Sequence, residues 1–96
     1  MRRAWVYMLT NQYKTVLYTG VTSNLEKRIY QHKYEKGSKF TTKYKCNRLV
    51  YFEETDDISA TIEYEKKIKA GSRSKKNKLI EKNNPNWLDF AVDWYA

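Results

Sequence analysis

Two runs of β-forming residues lie close together near the start of the chain. They are Trp5-Val6-Tyr7-Met8-Leu9 and Val16-Leu17-Tyr18-Thr19-Gly20-Val21, with the polar patch Asn11-Gln12-Tyr13-Lys14 between them. Aromatic and β-branched residues on both sides of a short polar connection predict an antiparallel β-hairpin. A hairpin is not stable alone in water and needs further strands or helices to cover it. The rest of the chain supplies them. Ser23 or Asn24 caps a helix that starts at Leu25, carries Glu26 in its first turn, runs to residue 36 and stops at Gly37. Residues 38–47 read as a polar, basic loop carrying Phe40 and Tyr44, and residues 48–53 as a third strand. Asp56 and Asp57 open a second helix that ends at Gly71; a third spans residues 74–83 and is broken by Asn84-Pro85. Trp87-Leu88-Asp89-Phe90 packs as a final turn. The order ββαβαα predicts a small α/β (α+β) fold, one domain over residues 1–96, with a three-stranded sheet flanked by helices.

Size and composition narrow the function. A chain of 96 residues has room for one core and one site. Its apolar runs are a few residues long, far below the ~20 of a membrane span, and the N-terminal stretch is too short for a signal-peptide core. One cysteine, Cys46, and one histidine exclude an internal disulfide, a zinc finger and an iron–sulfur cluster. A lone thiol agrees with a reducing, cytoplasmic compartment. Lys and Arg number 19 against 11 Asp and Glu, a net charge of +8. So large a surplus on so small a body points to a polyanion, nucleic acid above all; the plainer alternative is a basic protein with no such partner. Nine tyrosines add groups that stack on bases and donate to phosphates.

The candidate chemistry comes from three elements. With Thr10 facing Thr15 across the turn, Tyr7 falls opposite Tyr18, and cross-strand partners share a face with Cβ atoms about 5 Å apart. Two phenols then converge, either as an ordinary stabilising pair or as part of a site. On the first helix, Arg28 and His32 stand at i and i+4, bordering the apolar stripe of Leu25 and Ile29. Arginine forks onto phosphates and histidine exchanges protons near neutral pH; the alternative is an amphipathic helix whose long side chains reach for water. On the second helix, Ile58, Thr61, Ile62 and Ile68 mark the expected inward stripe, with Glu65 at its middle and Glu63 pointing away. A carboxylate facing a core is costly unless paired or bound to a cation. One hard oxygen ligand, with waters and substrate phosphates completing the shell, is usual for Mg²⁺; a Glu65–Arg28 ion pair is the alternative. Together these are the parts of a metal-assisted phosphodiesterase.

These residues, in order, resemble the GIY-YIG nuclease superfamily, in its small stand-alone bacterial branch. The paired strand motifs stand as Trp5-Val6-Tyr7 and Tyr18-Thr19-Gly20, and Gly20-Val21-Thr22-Ser23-Asn24-Leu25-Glu26-Lys27-Arg28, followed by Gln31-His32, resembles the link to the arginine helix. Glu65-Lys66-Lys67-Ile68-Lys69 and Lys75-Lys76-Asn77-Lys78-Leu79-Ile80 resemble the downstream block. The resemblance implies a compact domain that cuts DNA with one divalent metal, Mg²⁺ or Mn²⁺. Carried over, Tyr7 and Tyr18 are the motif tyrosines, Arg28 the phosphate arginine, Glu65 the metal ligand, and His32 the residue that assists proton transfer, with Tyr7 as the base. Asn84 matches a downstream asparagine and otherwise reads as a helix stop. Two departures stand out: Trp5 replaces a glycine, and Val21 stands where repair-type relatives, such as the excision-repair nuclease subunit, carry a lysine.

The sequence therefore predicts a cytoplasmic, divalent-metal-dependent DNA endonuclease, in repair or recombination, with substrate chosen by DNA structure or by a protein partner. Lys39, Lys43, Lys45, Arg73, Lys75 and Lys76 are its expected phosphate-tracking residues, with Phe40 and Tyr44 as stacking groups. The rival is a nucleic-acid-binding module that keeps the fold with little or no turnover; a third reading makes it one subunit of a larger complex.

Overall fold

A computed structural model describes residues 3–95; Met1, Arg2 and Ala96, the ends of the expected 1–96 domain, lie outside the described residues. Strands β1 (Ala4–Thr10), β2 (Leu17–Thr22) and β3 (Arg48–Thr55) form one sheet in the order β2-β1-β3. Both neighbours of β1 run antiparallel to it. Being central, β1 is buried on both faces, which is why its sequence is a continuous apolar run instead of an alternation. Val6 and Met8 look to one side and pack with Val50, Tyr51, Ile68, Ile80 and Trp87. Tyr7 and Leu9 look to the other and pack with Leu25, Ile29, Cys46, Leu49 and Ala91.

Helices α1 (Leu25–Tyr34), α2 (Lys39–Tyr44), α3 (Ile58–Ala70) and α4 (Arg73–Asn83) complete the order. Asn24 caps α1, accepting from Lys27 N–H, and Asp57 caps α3, accepting from Ser59 N–H, both as the sequence predicts. Helix α2 lies inside the stretch expected to be loop. Ser38 and Thr41 close a reciprocal capping box at its start, and Lys45 ends it in the left-handed region at φ 56°. A threonine in place of the usual glutamate at the third helical position hid that signal. The element order thus gains one short helix between α1 and β3.

The hairpin register differs from the expected one. Tyr7 pairs with Gly20, and Tyr18 pairs with Leu9. The cause is a longer connection: Asn11 Oδ1 accepts from the N–H groups of Thr15 and Val16, so the strands separate earlier than a tight turn would allow. The inward stripe of α3 also differs. Thr61 and Ile68 are buried, but Ile58 and Ile62 are each 39% exposed. Tyr64 takes their place against the sheet, its hydroxyl 3.1 Å from that of Tyr51.

After α4 the chain returns along β3. Phe90 N–H donates to the Leu49 carbonyl, the Asp89 carboxylate accepts from Leu49 N–H and pairs with Lys33, and the Asn84 amide donates to the Val50 and Leu88 carbonyls.

Candidate active site

Tyr7 is the centre. Its pairing with Gly20 lays the phenol ring over a residue without a side chain: a Cβ on Gly20 would stand 2.5 Å from the Tyr7 hydroxyl. Tyr18, one step diagonal in the corrected register, is on the same face, its ring centroid 6.3 Å from that of Tyr7. The sequence-predicted convergence of the two phenols therefore holds, through a diagonal contact in place of a direct one.

Helix α1 brings His32 to the same spot. Its Nε2 lies 2.9 Å from the Tyr7 hydroxyl, and its ring is 5.7 Å from Tyr7 and 5.5 Å from Tyr18. It is 6% exposed, deeper than the border position its spacing predicts. The ring is admitted by Gly37, where a Cβ would come within 2.1 Å of Nδ1. Gly37 was expected to stop a helix running to residue 36, yet α1 ends at Tyr34 with Glu35 as its cap, and no glycine among the described residues has positive φ. It is required here for space and not for backbone freedom.

Arg28, one turn earlier, donates from Nη1 to Gln31 and from Nη2 to the Gly37 carbonyl at 2.7 Å. Those bonds fix the guanidinium beside the Tyr7 phenol, whose ionisation it favours. Glu65 reaches the same region from α3. Its side chain is 18% exposed and meets Lys69 Nζ at 3.3 Å, so the Glu65–Arg28 ion pair is not formed. Glu63 is exposed.

Burial sets the protonation states. It pushes the Tyr7 phenol up to about 12, with Tyr18 and Glu65 adding to the rise and Arg28 opposing it. Burial, and then the Arg28 charge, push His32 down to about 4. Near neutral pH the pair is therefore a neutral phenol against a neutral imidazole.

No cluster of three or more His, Cys, Asp or Glu side chains capable of holding a metal forms among the described residues. The donor set suits a hard cation held by one carboxylate, Glu65, with waters and phosphate oxygens in the other positions. Its present partner is the half-exposed Lys69, a cation that a metal ion would replace.

The basic candidates divide. Lys39, Lys43 and Lys45 are exposed on and just after α2. That helix carries an aromatic path out of the site: Phe40 packs on Tyr18 at 5.8 Å and on Tyr44 at 4.8 Å, and the two outer rings are 38% and 40% exposed. Lys75 and Lys76 border a groove between α3 and α4. The Arg73 guanidinium is already engaged, donating to the Lys14 and Thr15 carbonyls and to Asn77. Asn84 caps α4 and is fully bonded within the fold. Sequence reasoning named Gly20 only within a motif and Gly37 only as a helix stop, and read the space each leaves for a ring in neither. It gave Ser38 and Thr41 no role; their capping signal lacked the expected acid.

The family model of the GIY-YIG catalytic domain matches residues 3–79. A UPF0213 protein of Syntrophus aciditrophicus is 40% identical over 84 residues, 86% of this chain and 95% of its own. UPF0213 protein SSP2268 of Staphylococcus saprophyticus is 44% identical over 64 residues, 67% of this chain and 78% of its own. The solution NMR structure of UPF0213 protein BH0048 from Bacillus halodurans matches with a TM-score of 0.59 at 26% identity, covering 95% of this chain and 97% of that one. The chain belongs to the GIY-YIG family, in keeping with the resemblance read from its motifs. The family is of nuclease type, and its nucleases are generally divalent-metal dependent.

Proposed function

We propose that this protein is a divalent-metal-dependent endonuclease that hydrolyses DNA phosphodiester bonds. One observation carries the reading: the Tyr7 hydroxyl, hydrogen-bonded to His32, has Arg28, Tyr18 and Glu65 converging on it from three different elements. In the proposed reaction the attacking water gives its proton to the Tyr7 oxygen as the phenol's own proton passes to His32 Nε2. Arg28 faces the scissile phosphate and gains most as charge builds in the transition state. A Mg²⁺ or Mn²⁺ ion on Glu65 would supply Lewis-acid stabilisation of the phosphate and leaving oxygens. Lys39, Lys43 and Lys45 hold backbone phosphates, and the exposed Phe40 and Tyr44 rings suit unstacked bases, which occur in repair and recombination intermediates. The lone thiol of Cys46, buried and free, supports a cytoplasmic setting.

The test is cleavage of branched, flapped, single-stranded and duplex DNA with Mg²⁺, with Mn²⁺ and with chelator. Chelator and Glu65→Gln are each expected to abolish cutting while DNA binding survives, and Glu63→Gln to cut like the parent. Equal cutting by Glu65→Gln and the parent would overturn the metal assignment. The rival reading, a binding module without turnover, is favoured by one feature: both terminal nitrogens of Arg28 are already bonded within the fold. It takes over if the parent binds these DNAs and cuts none of them.

A further inference from the structure

We propose that His32, Thr41 and Ser38 form a relay that conducts the Tyr7 proton from the buried site to the surface, with Thr41 as the residue that positions and switches the histidine tautomer. The reaction it serves rests on the nuclease reading; the hydrogen-bond chain does not. Both ring nitrogens of His32 are engaged. Nε2 meets the Tyr7 hydroxyl at 2.9 Å and Nδ1 meets Thr41 Oγ1 at 2.9 Å. Thr41 Oγ1 lies 2.9 Å from Ser38 Oγ and accepts from Ser38 N–H at 3.1 Å. His32 and Thr41 are 6% and 2% exposed, whereas Ser38 is half-buried beside a shallow cleft with Lys36, Lys39, Thr42 and Lys43. The chain thus leads from the interior outward.

Counting protons shows why it conducts. A threonine hydroxyl has one proton and two lone pairs. Ser38 N–H fills one lone pair, and the 3.4 Å contact to the Ser38 carbonyl is a weak competitor for the proton. The remaining lone pair and the proton are shared between His32 Nδ1 and Ser38 Oγ, and either direction satisfies every atom. In the first arrangement Tyr7 donates to Nε2, Nδ1–H donates to Thr41, and Thr41 donates to Ser38. In the second Nε2–H donates to Tyr7, Thr41 donates to Nδ1, and Ser38 donates to Thr41. Passing from first to second breaks the Tyr7 O–H as Nε2–H forms and breaks Nδ1–H as a new Thr41 O–H forms. The old Thr41 proton moves to Ser38 Oγ, whose own proton leaves to water. One proton has travelled from the phenol to solvent, the proton of the attacking water has replaced it on the Tyr7 oxygen, and the ring has changed tautomer without acquiring charge. That matters because burial and the neighbouring Arg28 oppose an imidazolium at this position. A histidine that cannot store the proton must pass it on, and Thr41 is the group at its far nitrogen.

Thr41 also caps α2, so the test separates relay from cap. Thr41→Val keeps the shape and removes the hydroxyl; Thr41→Ser restores the hydroxyl. Ring ¹⁵N spectra of His32 in the full chain are expected to show both tautomers in exchange in the parent and in Thr41→Ser, and one fixed tautomer in Thr41→Val. Single-turnover cleavage should fall about 10²-fold in Thr41→Val and recover in Thr41→Ser. A parent spectrum with one fixed tautomer, or a Thr41→Ser variant as slow as Thr41→Val, overturns the relay. The parent spectrum decides alone if Thr41→Val does not fold. A parent that cuts no DNA removes the nuclease reading, and the tautomer result still stands for or against the chain.

Discussion

At the scale of single residues the site is a problem of space as much as of charge. Arg28, His32 and Glu65 are legible in the sequence because titratable groups at or beside the core-facing side of a helix call for an explanation, and Tyr7 because the hairpin brings a second phenol to its face. Gly20 and Gly37 are not legible in that way. Each is needed because a ring rests on its Cα, that of Tyr7 from the neighbouring strand on Gly20 and that of His32 from the preceding helix on Gly37, and residue type and spacing alone do not reveal such a contact. Gly20→Ala is therefore expected to push the Tyr7 ring away from His32 and to cost about 1–3 kcal/mol of stability. Cleavage should fall far more than DNA affinity, as single-turnover rates and equilibrium binding would show. His32 gives a pH signature. Above its ordinary value of 6.5 it is neutral folded or unfolded and contributes no pH dependence. Below that the unfolded chain takes up a proton that the native one refuses until about pH 4. Stability should therefore fall across this window by about 3 kcal/mol and level off beneath it. Urea unfolding of the parent and of His32→Gln at pH 7 and pH 4.5 checks this, since the variant should lack that part of the slope.

At the scale of elements, the strands and the three longer helices follow from β-formers, caps and apolar spacing. What escaped was where side chains override local rules. The hairpin register shifted because Asn11 holds its connection open, and α2 formed because Thr41 replaces the acid of a capping box. The expected stripe of α3 was wrong at Ile58 and Ile62 because the helix rotates to bring Tyr64 onto Tyr51. Asn84 shows how much one residue holds between elements. Its amide group bonds the carbonyls of Val50 and Leu88 and the N–H of Leu88, all from a position 3% exposed. Asn84→Ala leaves those groups without partners and is expected to cost about 1–3 kcal/mol. Denaturant midpoints would show the loss, while the cleavage rate of the folded fraction should remain close to that of the parent.

For the whole molecule, the surplus of +8 predicts binding that weakens steeply with salt. Each backbone contact adds about 0.9 to the log–log slope on duplex DNA. Replacing Lys39, Lys43 and Lys45 together by alanine should lower that slope by about 2–3. Arg73→Ala should leave it unchanged, because that guanidinium already serves the hairpin connection. A slope indifferent to the triple substitution would move the binding face elsewhere, with Lys75 and Lys76 the next to test. Net charge was legible from composition, but its division between free and engaged cations needed the fold. The return of the chain along β3 has a different bearing, on solubility. The main-chain groups of Leu49 and Val50 that would recruit a strand from a second molecule are filled from within by Asn84, Asp89 and Phe90. Further along the same strand the exposed carboxylates of Glu53 and Glu54 discourage edge-to-edge pairing. A three-stranded sheet, which in isolation would be prone to grow by addition of neighbours, is thereby stopped on that side by its own tail.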